Sequence, residues 1–137
     1  MQENQRGTPP HPRRQQVSSG SSFESTIGFS RAVRAGQHVF VSGTAPIWPD
    51  GSCDPDPAAQ ARRCLEIILD ALAEAGAGPG DVVRTRTFLV DVADAGPVGV
   101  VHGEVFGEIR PASTMMAVAA LLDPRWKVEI EAEALVD

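Results

Sequence analysis

Residues 127–136 read Lys-Val-Glu-Ile-Glu-Ala-Glu-Ala-Leu-Val, a strict alternation in which Val128, Ile130, Ala132 and Ala134 stand against Glu129, Glu131 and Glu133. Side chains of a strand point to opposite faces in turn, so this stretch predicts a strand with one buried and one polar face. A sheet of that kind needs helices on its apolar side.

The chain upstream supplies them. A helix is predicted after Asp56, which serves as cap; Pro57 fits the first helical position and Gly76 ends it. Ala61, Cys64, Leu65, Ile68, Leu72 and Ala75 recur at three- and four-residue spacing and form one buried stripe. A second helix is predicted over 97–107, with Val98, Val101, Val105 and Phe106 inward. Its glycines, Gly99, Gly103 and Gly107, weaken it by about 1 kcal/mol each relative to alanine.

Residues 29–42 read as two short strands around a turn at Ala35-Gly36, Val39 and Val41 on one face and His38, Phe40 and Ser42 on the other. Gly43 ends that run, and a loop through Pro46, Pro49 and Asp50-Gly51 follows. Strands are also predicted over 82–92, rich in β-formers, and over 113–121. The expected order is strand–strand–helix–strand–helix–strand–strand: an α/β (α+β) fold with one mixed sheet and both helices on one face. The other face, carrying Phe88 or else Thr85, Thr87 and Leu89, has no covering element and favours an oligomer.

Residues 1–22, rich in Gln, Pro, Arg, Ser and Gly, hold too few hydrophobes to offset the entropy of ordering. They are expected to be a flexible tail, with a linker-like Ser-Ser-Gly-Ser-Ser run at 18–22, and 23–137 a single domain. The formal charge is −6; residues 1–20 carry three arginines against one glutamate, which leaves −8 on the remainder. An acidic body repels phosphate backbones, so no nucleic-acid partner is expected. No run of roughly 20 apolar residues suggests a membrane span, and no apolar secretion signal precedes the domain, which points to a cytoplasmic protein. Cys53 and Cys64 are then expected as reduced thiols. His11, His38 and His102 are too scattered for a metal centre, and no cofactor fingerprint is present. His102 is expected to be a surface or interface residue rather than a general base.

Two blocks carry a family resemblance. Arg110-Pro-Ala-Ser-Thr-Met-Met-Ala-Val-Ala-Ala-Leu121 followed by Val128-Glu129-Ile130-Glu131-Ala132 resembles the closing signature of the Rid (reactive intermediate deaminase, YjgF-type) family. Phe29-Ser30-Arg31-Ala32-Val33 through Val39-Phe40-Val41-Ser42-Gly43 resembles its opening hairpin. The resemblance covers about residues 24–136 and implies a chorismate-mutase-like fold, assembled as a homotrimer with small-molecule clefts between subunits. Members that deaminate hydrolyse imines or enamines to a carbonyl compound and ammonia. In them an arginine after proline–alanine grips the substrate carboxylate, a glutamate of the last strand orients water, and backbone beside a glycine completes the cleft.

Carried over by position, the glutamate is Glu129, the glycine Gly43 and an aromatic residue Phe29, while the arginine position holds Ser113. Ser113 and Thr114 are the expected substrate contacts; Met115 and Met116 read as packing residues. A neutral hydroxyl replaces a planar charged fork, so a 2-imino acid is expected to bind about ten- to a hundredfold more weakly. Arg110, three residues upstream, is a candidate replacement; Arg84 and Arg86 read as solvated or salt-bridged. Glu129 reads either as the functional carboxylate or, with Glu131 and Glu133, as part of a polar face. The expected function is hydrolysis of an imine, enamine or related reactive intermediate other than a typical 2-imino acid. The alternative is a non-catalytic small-molecule-binding protein of the same fold.

Overall fold

A computed structural model describes residues 14–137. Six strands form one mixed sheet: β1 (Arg14–Val17), β2 (Ala32–Ala35), β3 (His38–Thr44), β4 (Val82–Leu89), β5 (Ala112–Ala117) and β6 (Val128–Leu135), in the spatial order β1-β2-β3-β6-β4-β5. Among the described residues only β4 and β5 pair in parallel. Helices α1 (Pro57–Glu74) and α2 (Ala95–Phe106) join β3 to β4 and β4 to β5. The architecture is the predicted chorismate-mutase-like one, with β6 inserted between β3 and β4.

Local chemistry explains the elements. Gly36 takes φ +63° in the turn between β2 and β3, a conformation that costs a residue with a Cβ. The Asp56 carboxylate accepts from the Ala59 backbone N–H at 2.9 Å and satisfies one orphan donor of α1. Leu65, Ile68 and Leu72 of α1 and Val98, Val101 and Phe106 of α2 are buried. They meet Val39, Val41, Leu89, Val128 and Ile130 of the sheet. Removal of each such side chain from water stabilises the fold by about 1.5–3 kcal/mol.

The expected tail is corrected where it can be seen. Residues 1–13 lie outside the described residues, but Arg14–Val17 pair with Ala32–Ala35, and Val17 is buried. The serine run is held as well: Glu24 accepts from the Ser18 hydroxyl at 2.9 Å and the Ser19 backbone N–H at 2.7 Å. Backbone pairing and side-chain caps order this segment, and neither leaves a hydrophobic pattern to read.

Boundaries differ elsewhere. α2 begins at Ala95, and β5 stops at Ala117. β4 ends at Leu89, after which Val92–Asp94 form a 3-10 turn capped by Asp91. Of the two faces left open by the sequence, Thr85, Thr87 and Leu89 lie under the helices and are fully buried. The uncovered face carries Phe40, Phe88, Met116 and the three glutamates of β6. Both thiols are free, Cys64 buried and Cys53 half-buried. No helix among the described residues is long and apolar enough to cross a membrane.

Candidate active site

Glu129 stands on the uncovered face of β6, opposite Phe88. Its carboxylate occupies the space that a side chain on Gly43 would need: a Cβ built there would collide with Glu129 Oε2. The register shift between β3 and β6 falls at this place, between Val41 and Thr44. Bulges commonly re-aim side chains next to functional sites. Here glycine is required by close approach, not by backbone angle.

Arg31 shares this corner. Its Nη2 donates to the carbonyls of Ser42 at 2.7 Å and Gly43 at 2.8 Å, which ties the guanidinium to the end of β3. Its Nε is buried with no partner among the described residues. Burial pushes the Glu129 carboxyl above the usual carboxylate range, the Arg31 charge draws it partly back, and Glu131 raises it further. Burial likewise lowers Arg31. A carboxyl poised in this way serves as a proton acceptor better than an exposed one.

Both groups line an open cavity of about 770 Å3, walled by Phe23, Ile27, Phe29, Leu122 and Trp126. Leu122 is 96% exposed, a large apolar side chain left entirely to solvent at the rim. The Trp126 indole N–H is buried without a partner among the described residues, a second donor with unused capacity beside Arg31 Nε. The Trp126 loop is held from below by Gln60, itself fully buried. Gln60 donates to the carbonyls of Asp54 (2.7 Å) and Arg125 (2.9 Å) and accepts from the Lys127 N–H at 2.7 Å.

Of the residues singled out from sequence, Phe29, Gly43 and Glu129 converge on this cavity. Ser113, Thr114 and Arg110 do not. Ser113 faces the helix side of the sheet, where its hydroxyl meets that of Thr85 at 2.9 Å; Thr114 aligns with Arg86 on the opposite face. One strand, β4, separates β5 from β6. Ser113 aligns through Thr85 with Ala132 on the helix side, while Glu129 aligns through Phe88 with Met116 on the bare face, so one protomer does not bring Ser113 and Glu129 together. Arg110 is exposed with φ +56°, and its backbone N–H closes α2 through the Phe106 carbonyl at 2.8 Å. Arg86 is salt-bridged, to Glu131 at 2.9 Å and Glu133 at 3.0 Å. Those two glutamates are thereby occupied, and Glu129 is set apart from them. Arg31, Trp126 and Gln60 were not singled out from the sequence. Arg31 carried one usable signal: it sits one residue before Ala32, on the face that the alternation of β2 assigns to Phe40 and Glu129.

Comparison with known proteins places the fold in a family. Residues 19–136 match the family model described as Endoribonuclease L-PSP. A structure of a YjgF-type family member from Mycobacterium tuberculosis superposes with TM-score 0.83 at 49% identity, covering 90% of this chain and 99% of that one. An uncharacterized protein of Streptomyces coelicolor is 39% identical over 86% of this chain and 89% of its own length. The 2-iminobutanoate/2-iminopropanoate deaminase of Salmonella typhimurium is 35% identical over 78% and 86%. The match to the family model over most of the chain, the superposition and the identities lead to one conclusion: the chain belongs to the YjgF/Rid family, whose model is named for L-PSP.

Proposed function

We propose that the protein hydrolyses an imine, enamine or related reactive intermediate other than a typical 2-imino acid, in clefts between the subunits of a homotrimer. The observation that carries this reading is the Glu129 carboxylate, raised by burial and seated on Gly43 at the floor of an apolar cavity. Glu129 takes a proton from water as its oxygen adds to the C=N carbon. Glu129 hands that proton to the nitrogen to give the neutral carbinolamine. It then takes the hydroxyl proton and delivers it to nitrogen as the C–N bond breaks, leaving a carbonyl compound, ammonia and the regenerated carboxylate. Apolar walls suit a hydrophobic substituent and keep bulk water from the addition step. Ser113 and Thr114 serve as contacts from a neighbouring copy, an arrangement favoured by their separation from Glu129 within one protomer. The deaminase name of the Salmonella relative supports the reaction class. The serine at position 113 argues against its carboxylate-bearing substrates.

Ammonia release from an uncharged aryl ketimine and from 2-iminopropanoate generated in situ tests both halves. Acceleration of the ketimine is expected, reduced at least about a hundredfold in Glu129→Gln, with little effect on 2-iminopropanoate. Efficient turnover of 2-iminopropanoate would overturn the substrate class. Binding of the ketimine without turnover would make this a non-catalytic binding protein.

A further inference from the structure

A second group of polar side chains lies at the other end of the sheet, outside the Glu129 cavity. The His102 ring packs against Phe106 with centroids 4.8 Å apart, and His102 Nε2 lies 2.8 Å from Thr85 Oγ1. Thr85 is fully buried, and its hydroxyl lies 2.9 Å from that of Ser113. Ser113 is exposed on the edge strand β5. Imidazole, buried hydroxyl and surface hydroxyl thus form one hydrogen-bonded chain across α2, β4 and β5.

A hydroxyl has a single proton, so the two bonds of Thr85 are coupled in direction. When His102 Nε2 is unprotonated it accepts from Thr85, Thr85 accepts from Ser113, and Ser113 offers lone pairs outward. When Nε2 carries the proton, the chain reverses and the Ser113 O–H is free to donate outward. Burial of Thr85 keeps water from breaking the chain at its middle, unlike a serine solvated on all sides. An arginine at this position would present positive donors only.

We propose that Thr85 and His102 are positioning residues that hold Ser113 as an uncharged contact able to accept or donate, selecting substrates with a neutral amide, lactam or hydroxyl group there. This rests on the placement of Ser113 in the cleft under the function proposed above. A carboxylate at the same place would lose water without gaining a counter-charge.

The test is nuclear magnetic resonance of the full chain with nitrogen-15-labelled histidine, titrated with propionamide or propionate at neutral pH. Propionamide is expected to shift the His102 ring nitrogens saturably, and propionate to leave them in place. Ser113→Ala, a surface change, is expected to abolish the response. Thr85→Val breaks the chain at its middle and should abolish the His102 response, and Thr85→Ser should restore it. Equal shifts with propionate, silence with both probes, or a response that survives Ser113→Ala would overturn the assignment. Glu129→Gln separates the two proposals, since it removes hydrolysis and leaves the His102 response unchanged. Hydrolysis with a silent His102 sinks the relay alone; a responsive His102 without hydrolysis sinks the hydrolase reading alone.

Discussion

At the scale of single residues, Glu129 and Arg31 work against each other. Burial raises the carboxyl, and the guanidinium limits the rise. A reaction that needs the carboxylate is fully active above its pKa and fades as pH falls through it. Arg31→Met removes the charge that favours ionisation, so the acid limb of the pH–rate profile should move to higher pH; an unmoved limb would deny the coupling. Ser113→Arg should produce measurable hydrolysis of 2-iminopropanoate by supplying a charged fork, and the added change Glu129→Gln should abolish it. No gain in a folded trimer would place residue 113 outside the substrate site. Glu129, Gly43 and Phe29 were legible from the pattern of two sequence blocks. Arg31 and Trp126 were not, because arginine on a short strand and tryptophan in a loop have ordinary surface readings, and their unpartnered donors exist only in the folded chain.

At the scale of elements, Gln60 is the clearest case of a polar residue inside an apolar stripe. It lies on α1 between half-buried Ala59 and buried Ala61, yet its side chain links two loops. Gln60→Leu would leave the Lys127 N–H and two carbonyls without partners, costing roughly 3 kcal/mol. Urea unfolding checks the loss; a change below about 1 kcal/mol would mean that water replaces the amide. The first strand gives the second test. Truncation before Phe23 removes the pairing with β2 and the burial of Val17. The melting temperature should fall by several degrees, since about 1 kcal/mol corresponds to roughly 4–8 °C in a domain near this size. An unchanged melting temperature would return the segment to a dispensable tail.

At the scale of the whole molecule, the sheet has one covered and one bare face. Phe40 and Met116 are 46% and 44% exposed on the bare side, interspersed with the Arg86–Glu131–Glu133 cluster. In the proposed trimer these side chains would be the ones to meet a neighbouring copy. Light scattering is expected to give three times 14.5 kDa. Phe40→Glu adds a carboxylate opposite Glu133, its partner across β3 and β6, and should shift the species toward monomer with loss of hydrolysis. A wild-type monomer at micromolar concentration would remove the inter-subunit cleft.

The alternation of β6, the stripe on α1 and the Asp56 cap were sufficient by themselves for a sheet covered by a helix, because periodicity is a local property written residue by residue. The family rested instead on the resemblance of residues 29–43 and 110–132. The covered face, the role of β1 and the separation of Ser113 from Glu129 were decided only by tertiary structure. Thr85, Thr87 and Leu89 alternate with Arg84, Arg86 and Phe88, and neither set is apolar enough alone to declare itself the core. The docking of α1 and α2 chose between them. That same choice turned Glu129 toward Arg31 and Ser113 toward His102, since residues joined through neighbouring strands inherit their face from the sheet and not from their own sequence.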